Sequence, residues 1–231
     1  MHSLHTHTHR AGRGKLEDTT TCTTIEKVID SKIVAWSSSS RCWIRAADPL
    51  HCDKPDRCGV GPGISFARGL KSKHKIGLVP CAVGGTDIET WLYEMKDKVT
   101  GLNPWKDCLL KTKSALKSGK LCAILWHQGE SDCTETKSKD YAKHLVAVVK
   151  KFRKEFGDVP FLCGQLGHFD EKPWNENHKL IDESHRALPK LLPNCAFVSS
   201  KGLTSFDSLH FDTHSAKILG ERYANAYMKM I

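Results

Sequence analysis

Short, almost continuously apolar runs alternate with amphipathic segments from about residue 75 to the end of the chain. Uninterrupted apolar runs are typical of strands buried on both faces, and the segments between them repeat their apolar residues at helical spacing. The alternation predicts a mostly parallel sheet with helices on both faces, which is a three-layer α/β/α domain. The predicted strands cover 75–83, 121–130, 159–167 and 195–200, and the predicted helices cover 103–120, 138–157, 175–192 and 212–231.

The first 74 residues are more polar and less regular. Residues 32–36 predict a strand, and a turn rich in glycine and proline precedes a predicted helix over 64–73. Residues 1–10 contain a single leucine, Leu4, where a buried strand would place about five apolar side chains. We therefore expect the first strand to be missing or degenerate. We interpret residues 1–10 as an atypical segment outside the core of a single domain of residues 11–231.

Composition and charge narrow the class of protein. With 39% hydrophobic and 26% charged residues the chain is typical of a globular protein, and no apolar stretch is long enough for a transmembrane helix. The formal charge of +9 raises the question of a nucleic-acid partner. However, the lysines are spread along the chain, many of them on the polar faces of predicted helices, and no basic and aromatic residues alternate as in nucleic-acid-binding modules. We therefore expect neither a nucleic-acid nor a membrane partner.

The ten cysteines include no CxxC pair, so a structural zinc site is not supported. Cys81, Cys122 and Cys163 lie within apolar strand runs, where we expect buried thiols without partners. The first twenty residues contain no apolar segment typical of a signal peptide, which favours a reducing compartment for the chain as written. Secretion stays open if the true N-terminus lies upstream. In that case the cysteines in polar loops could pair: Cys42, Cys52, Cys58 and Cys133.

Polar clusters follow three of the predicted strands or lie close to their ends. In an open parallel sheet, ligands bind at the carboxyl ends of the strands, so we expect these clusters to meet at one edge. A glycine pair alone is usually a turn, and a histidine after a strand is more often structural than catalytic. Together, however, the clusters supply what acyl transfer needs. They are Gly84-Gly85-Thr86-Asp87, the stretch 127–132 (HQGESD) and the stretch 205–212 (SFDSLHFD).

Each cluster offers a group with a chemical role. Asp207 lies three residues before His210, so its carboxylate can hold one imidazole nitrogen and leave the other as a general base. Gly84 or Gly85 can offer a backbone N–H, and Gln128 a side-chain amide, to a developing oxyanion. Such a set implies a nucleophile at the end of another central strand.

The motifs "WHQGESD", "AVGGTDIETW" and the DxxH of "DSLHFD" resemble the SGNH-hydrolase superfamily. More closely, they resemble its plant carbohydrate-esterase branch, the sialate O-acetylesterase-like domain. The stretch "DPLHCDKPDRCGVGPGISFARGL" (48–70) matches this branch as well, and the similarity runs from about residue 10 to the C-terminus. The resemblance implies a flavodoxin-like three-layer domain that removes acetyl groups from carbohydrates by serine-ester chemistry, without a metal or other cofactor.

The resemblance also implies roles for individual residues. Asp207 and His210 match the acid and base, and Gln128 and the Gly84-Gly85 pair match the oxyanion side. Glu130 matches the glutamate of the HQGE motif. It can orient neighbouring loops or act as an alternative acid. The implied partner is an acetylated carbohydrate.

The nucleophile block departs from the family pattern. In the family, the sequence of this block is roughly GQSNMAGRG. Residues 11–14 (AGRG) match the last four positions of the block, so Thr8 stands where the family has its serine. We expect residues 1–7 not to form the strand that would hold Thr8. Ser131, within HQGES, is a poor substitute because nothing places it on a strained turn.

His5, His7 and His9 alternate, so in an extended strand they would share one face and could bind a metal. The alternation has no carboxylate beside it, and we favour instead a replaced or mis-assigned N-terminus. Two function classes therefore remain. The first is a carbohydrate esterase-like hydrolase that lacks its serine, and the second is a catalytically inactive carbohydrate-binding protein that keeps the cleft.

Overall fold

A single sheet of seven strands organises the described part of this computed structural model. The structure describes residues 2–9 by their backbone, together with 32–51, 53–54, 57–70 and 74–231. The strand order is β3-β2-β4-β1-β5-β6-β7, and all neighbours are parallel except β2 and β3. The strands are β1 (His2–His9), β2 (Ile33–Ser37), β3 (Cys42–Arg45), β4 (Ile76–Pro80), β5 (Gly119–His127), β6 (Phe161–Gly164) and β7 (Cys195–Val198).

Helices cover both faces of the sheet, and the predicted three-layer α/β/α fold is confirmed. Within the described residues, no helix has the length and apolar character needed to cross a membrane. Short 3-10 turns follow α3 and β5, at Leu116–Ser118 and Glu130–Asp132. The helices are α1 (Pro62–Gly69), α2 (Ile88–Leu92), α3 (Pro104–Ala115), α4 (Tyr141–Phe156), α5 (Glu176–Leu191) and α6 (Thr213–Met228).

The alternation of side chains along the strands divides the interior into two apolar layers. On β5, Ile124 and Trp126 pack with the layer under α2 to α5, whereas Leu125 packs with the layer under α1 and α6. Val79 and Leu78 of β4 divide in the same way. Because successive strand residues point to opposite faces, a strand covered on both sides must be apolar at nearly every position.

The expectation that residues 1–7 form no strand is wrong. β1 lies between β4 and β5 and pairs with both in parallel register, with Leu4 opposite Gly77 and Leu121. A strand in this position is held by backbone hydrogen bonds on both sides, and β-branched threonines suit an extended backbone. The division at residue 10 was based on the missing strand. The pairing of β1 removes that basis, and residues 10–31 lie outside the described part of the chain.

The prediction about the cysteines is confirmed only in part. Cys81 and Cys163 are buried, but Cys122 is half-exposed and its thiol donates to the carbonyl of Lys120 at 3.4 Å. All three are free thiols in the described part of the chain.

A leucine pair tests the two-layer core. Leu78 is fully buried on β4, whereas Leu110 on α3 is 57% exposed. We expect Leu78→Ala to lower the free energy of unfolding by about 2–5 kcal/mol, since it leaves a cavity in a close-packed layer. The matched control Leu110→Ala should change it by no more than about 0.5 kcal/mol. Urea denaturation measures both, and equal effects of the two substitutions would contradict the assignment of the layers.

Candidate active site

The loops after β4, β5 and β7 meet at the carboxyl edge of the sheet. The ring of Phe211 contacts that of His127, at the end of β5, with 5.6 Å between ring centroids. The backbone of β1 ends at the same edge, with Thr8 opposite Trp126 and His9 opposite His127. The alternative of a metal site at the alternating histidines, which the sequence analysis does not favour, depends on side chains outside the described part of the structure.

Asp207 and His210 form a hydrogen-bonded dyad. The carboxylate Oδ2 of Asp207 lies 2.6 Å from Nδ1 of His210, and its Oδ1 accepts from the backbone N–H groups of His210 at 2.7 Å and Leu209 at 3.0 Å. Because the carboxylate accepts at Nδ1, the ring carries its proton there, and Nε2 is the basic nitrogen. This is the orientation that the sequence predicted for a general base.

The charge of the dyad is set by the same contacts. Partial burial opposes ionisation of Asp207, but the hydrogen bonds from the His210 ring and from the two backbone N–H groups outweigh it and lower the pKa of Asp207. His210 is 8% exposed, so the imidazole faces a largely desolvated edge. An ionised carboxylate therefore remains available to stabilise an imidazolium.

The two ends of the loop that carries Asp207 and His210 are joined by backbone contacts. Ser205 and Phe211 form an antiparallel bridge, and the backbone N–H of Asp212 donates to the carbonyl of Thr204 at 3.2 Å. Asp212 then caps α6 by accepting from the backbone N–H of Ser215 at 2.7 Å. The dyad is therefore fixed between a bridge and a helix N-terminus.

The side chain of Gln128 is buried and is fixed by hydrogen bonds to other protein groups. Its Nε2 donates to the carbonyl of Thr86 at 3.0 Å and to Asp132 at 2.5 Å, while its Oε1 accepts from the hydroxyl of Tyr141 at 3.1 Å. An amide nitrogen has two hydrogens, and both have protein acceptors here. Gln128 thus joins the loop after β4 to the loop after β5, and its oxyanion role stays a prediction.

Asp132, which accepts from the Gln128 amide, is fully buried. Its carboxylate also accepts from the backbone N–H of Ile88 at 3.1 Å, at the start of α2. Desolvation raises the pKa of Asp132 to about 7, although the hydrogen bonds from Gln128 and Ile88 oppose the shift. Asp132 belongs to the HQGESD stretch, but the sequence pattern predicts no role for it.

Tyr141 connects Gln128 to the helical layer through buried hydrogen bonds. The hydroxyl of Tyr141 lies 3.0 Å from Nε2 of His185, on α5. Burial lowers the pKa of His185 to about 4, and burial with the nearby His185 lowers that of His127 to about 3, so both rings are neutral. Sequence reasoning missed Tyr141 and His185, because a helix residue that faces the core has no distinguishing spacing.

The glycine pair after β4 is bonded to two residues of the stretch 48–70, which matches the family but had no predicted role in the site. The backbone N–H of Gly84 donates to Oδ2 of Asp53 at 2.7 Å, and the ammonium of Lys54 donates to the Gly84 carbonyl. Gly85 has a φ of 83°, in the left-handed region that glycine tolerates. Ser131 donates to the Gly85 carbonyl at 3.0 Å, so its hydroxyl connects the two loops.

The HQGE turn requires its glycine. Gly129 has a φ of 151°, and an added Cβ would lie 2.7 Å from Cγ2 of Ile181. The next residue, Glu130, begins the short 3-10 turn and is half-buried. Its carboxylate has no hydrogen-bond partner among the described residues, so its predicted role as a loop-orienting or acidic group stays a prediction.

Comparison with known proteins identifies the family. Residues 8–229 match the SASA family, described as carbohydrate esterases, sialic acid-specific acetylesterases. The chain belongs to this family, and the predicted resemblance is confirmed. The match covers the dyad, the glycine pair and the HQGE turn in a single stretch.

Individual relatives agree with this assignment. The chain is 31% identical over 215 residues to the probable carbohydrate esterase At4g34215 of Arabidopsis thaliana, covering 86% of this chain and 75% of the relative. The crystal structure of the Arabidopsis protein superposes with a TM-score of 0.80 at 25% identity, over 98% of both chains. A carbohydrate acetylesterase from Xanthomonas citri, XAC1771, shares the fold with a TM-score of 0.67 at 22% identity, over 97% of this chain and 55% of that one.

The buried histidine pair predicts a pH dependence of stability. The pKa of His185 is about 4 when folded and 6.5 without the protein environment, so between these values the unfolded chain binds the extra proton. The stability contributed by neutral His185 is present at pH 7 and is lost as the pH falls. Between pH 7 and pH 5 the loss should reach about 2 kcal/mol.

His185→Gln should remove this part of the pH dependence while keeping a polar partner for Tyr141. Urea denaturation at pH 7 and pH 5 measures the change in the free energy of unfolding between the two pH values. The control is His214→Gln, on the exposed side of α6, which should leave this change as it is in the unaltered chain. The same pH dependence in His185→Gln and the unaltered chain would show that His185 is not buried in its neutral form.

Proposed function

We propose that this chain is a slow O-acetyl esterase of carbohydrates that uses Thr8 as its nucleophile. The observation that supports it most strongly is the hydrogen bond between Asp207 and Nδ1 of His210, with the basic Nε2 at the carboxyl edge of the sheet. Family membership supplies the substrate class, an O-acetylated sugar. The backbone of Thr8 at the end of β1 places a hydroxyl-bearing residue at the same edge.

The proposed reaction follows from these groups. His210 accepts the proton of the Thr8 hydroxyl through Nε2 as the oxygen attacks the acetyl carbonyl, and Asp207 stabilises the imidazolium. Backbone N–H groups of the Gly84-Gly85 turn stabilise the oxyanion. His210 then gives the proton to the departing sugar oxygen, and a water molecule releases acetate by the same steps. Substrate must displace Asp53 from the Gly84 N–H.

The reaction is slow because threonine replaces serine. A β-branched side chain has fewer accessible χ1 rotamers, and its methyl group crowds the approach of the oxygen to a carbonyl carbon. Nucleophilic catalysis requires a near-attack geometry, which a small displacement disrupts. Binding and the oxyanion donors alone still provide about 10³- to 10⁴-fold acceleration over water in hydrolases that lack a triad member.

A second candidate function is sugar binding without catalysis. It is favoured by the replacement of the serine and by the contact between Asp53 and Gly84, which covers an oxyanion donor. In that case the dyad would contribute to binding rather than to proton transfer. Hydrolysis assays separate the two functions.

Substitution of Thr8 tests the nucleophile. We expect Thr8→Ser to raise kcat for an aryl acetate by about 10- to 100-fold, because the crowding methyl is removed, and Thr8→Ala to lower it to the background of the site. Steady-state hydrolysis of p-nitrophenyl acetate and of an acetylated xylo-oligosaccharide measures both variants. A Thr8→Ala chain as active as the unaltered one would contradict the assignment.

The dyad provides the matched control. In the Thr8→Ser background, His210→Gln should lower kcat by about 10²- to 10⁴-fold, which is the usual contribution of a general base. Ser208→Ala, in the same loop but outside the dyad, should leave it within about twofold. If Thr8→Ser and its His210→Gln derivative were equally active, the sugar-binding alternative would be preferred.

A further inference from the structure

A cavity lies beside the dyad loop, at the carboxyl ends of β6 and β7. Its volume is about 730 Å³, and its walls come from the loop after β6, the loop after β7 and α5. Among the described residues that line it, neither dyad residue is present. Thr204 belongs to its wall and also closes the base of the dyad loop. The cavity is therefore separate from the reacting groups but shares a wall with the loop that holds them.

The floor of the cavity is a fixed polar surface. Gln165 and Asp182 are both buried, and the Gln165 amide donates to Oδ1 of Asp182 at 2.9 Å. Oδ2 of Asp182 accepts from Nε of Arg186 at 2.7 Å, and Oε1 of Gln165 accepts from the backbone N–H of Ser200 at 2.9 Å. Each of these planar side chains is held by protein contacts before any ligand binds, which lowers the cost of binding.

Arg186 retains donors for a ligand. Its guanidinium lies 4.6 Å above the ring of Phe197, and only its Nε bonds Asp182. Neither Nη atom donates to a described residue. A guanidinium fixed at one edge and held over a ring presents its remaining N–H groups in a defined direction.

Trp174 supplies an aromatic wall. Its indole N–H donates to the carbonyl of Gly167 at 2.8 Å, and His168 lies against it with 4.7 Å between ring centroids. These contacts fix the ring plane. An aromatic face next to planar polar side chains suits a pyranose, which has apolar C–H faces and a rim of hydroxyl groups.

The charge of the cavity selects among sugars. The carboxylates of Asp170, Glu171 and Asp182 line it and outnumber the cations of Arg186 and Lys201. Asp170 and Glu171 are exposed, and neither forms an ion pair within the described part of the chain. Carboxylates accept hydrogen bonds from hydroxyl groups but repel a sugar acid or a phosphate.

We infer that this cavity binds a neutral pyranose unit of the carbohydrate, with Trp174 against the sugar face and Glu171, Arg186 and Gln165 at its hydroxyl groups. The inference rests on the proposed carbohydrate-directed function and adds a subsite to it. Its volume falls in the range of about 300–1,000 Å³ that is usual for small-molecule sites. A chain of two or more sugars would reach from this cavity toward the dyad loop.

Binding of unacetylated oligosaccharides to the full chain tests the inference. Cellotetraose, xylotetraose and tetragalacturonate are titrated by calorimetry, and saturation-transfer NMR reports which sugars contact the protein. We expect at least one neutral tetrasaccharide to bind, Trp174→Ala to weaken it by about tenfold or more, and the exposed Glu171→Ala to weaken it severalfold. The control Tyr93→Ala removes an exposed ring outside the cavity and should leave binding unchanged.

The outcomes separate the subsite from the esterase. Preferential binding of tetragalacturonate, no binding of any neutral tetrasaccharide, or unchanged binding by folded Trp174→Ala would each overturn the inference. If Trp174→Ala does not fold, unchanged binding by Glu171→Ala overturns it instead. Binding that is lost in these variants but retained in Thr8→Ala supports the subsite, even if the unaltered chain hydrolyses no acetate and the proposed esterase function fails.

Discussion

The candidate site depends on one buried carboxylate. Asp132 accepts from the amide of Gln128 and from the backbone N–H of Ile88, so it joins the loop after β5 to the start of α2. Parallel strands bring their carboxyl ends to one edge, but they do not by themselves fix the loops that follow. A desolvated carboxylate costs free energy unless it is bonded, so these contacts must form together. Burial at this point therefore specifies one arrangement of two loops.

Tyr141 connects the loop after β5 to the helical layer. Tyr141 donates to the backbone carbonyl of Gln128 at 2.8 Å, and its oxygen lies 3.0 Å from His185 on α5. α5 also supplies Asp182, which holds Gln165 at the floor of the cavity beside the dyad loop. One helix thus contacts both the HQGE turn and the cavity, which relates the position of the proposed subsite to that of the reacting groups.

The sequence predicted the parts of the fold that apolar side chains determine. β4 to β7 were found because strands covered on both faces must be apolar, and the helices between them because their apolar positions recur at helical spacing. β1 was missed because its pairing uses backbone groups, which have no hydrophobic signal. The dyad could be predicted, since Asp207 and His210 lie in one short loop. The partners of Gln128 could not, because Thr86 and Tyr141 reach it only through the tertiary fold.

The position of β1 bears on the proposed nucleophile, Thr8. Without a strand, two defects would have opposed catalysis, an unheld backbone and a branched side chain. The pairing of Thr8 with Trp126 at the carboxyl edge removes the first, because β1 lies between β4 and β5 in the sheet and Thr8 itself pairs with β5. The remaining defect in the proposed nucleophile is the methyl group that distinguishes threonine from serine. Such a defect raises a barrier without abolishing the chemistry, since the hydroxyl, the base and the orienting carboxylate are all retained as residue types. The position of β1 therefore supports the proposal of a slow esterase over that of an inactive sugar-binding domain.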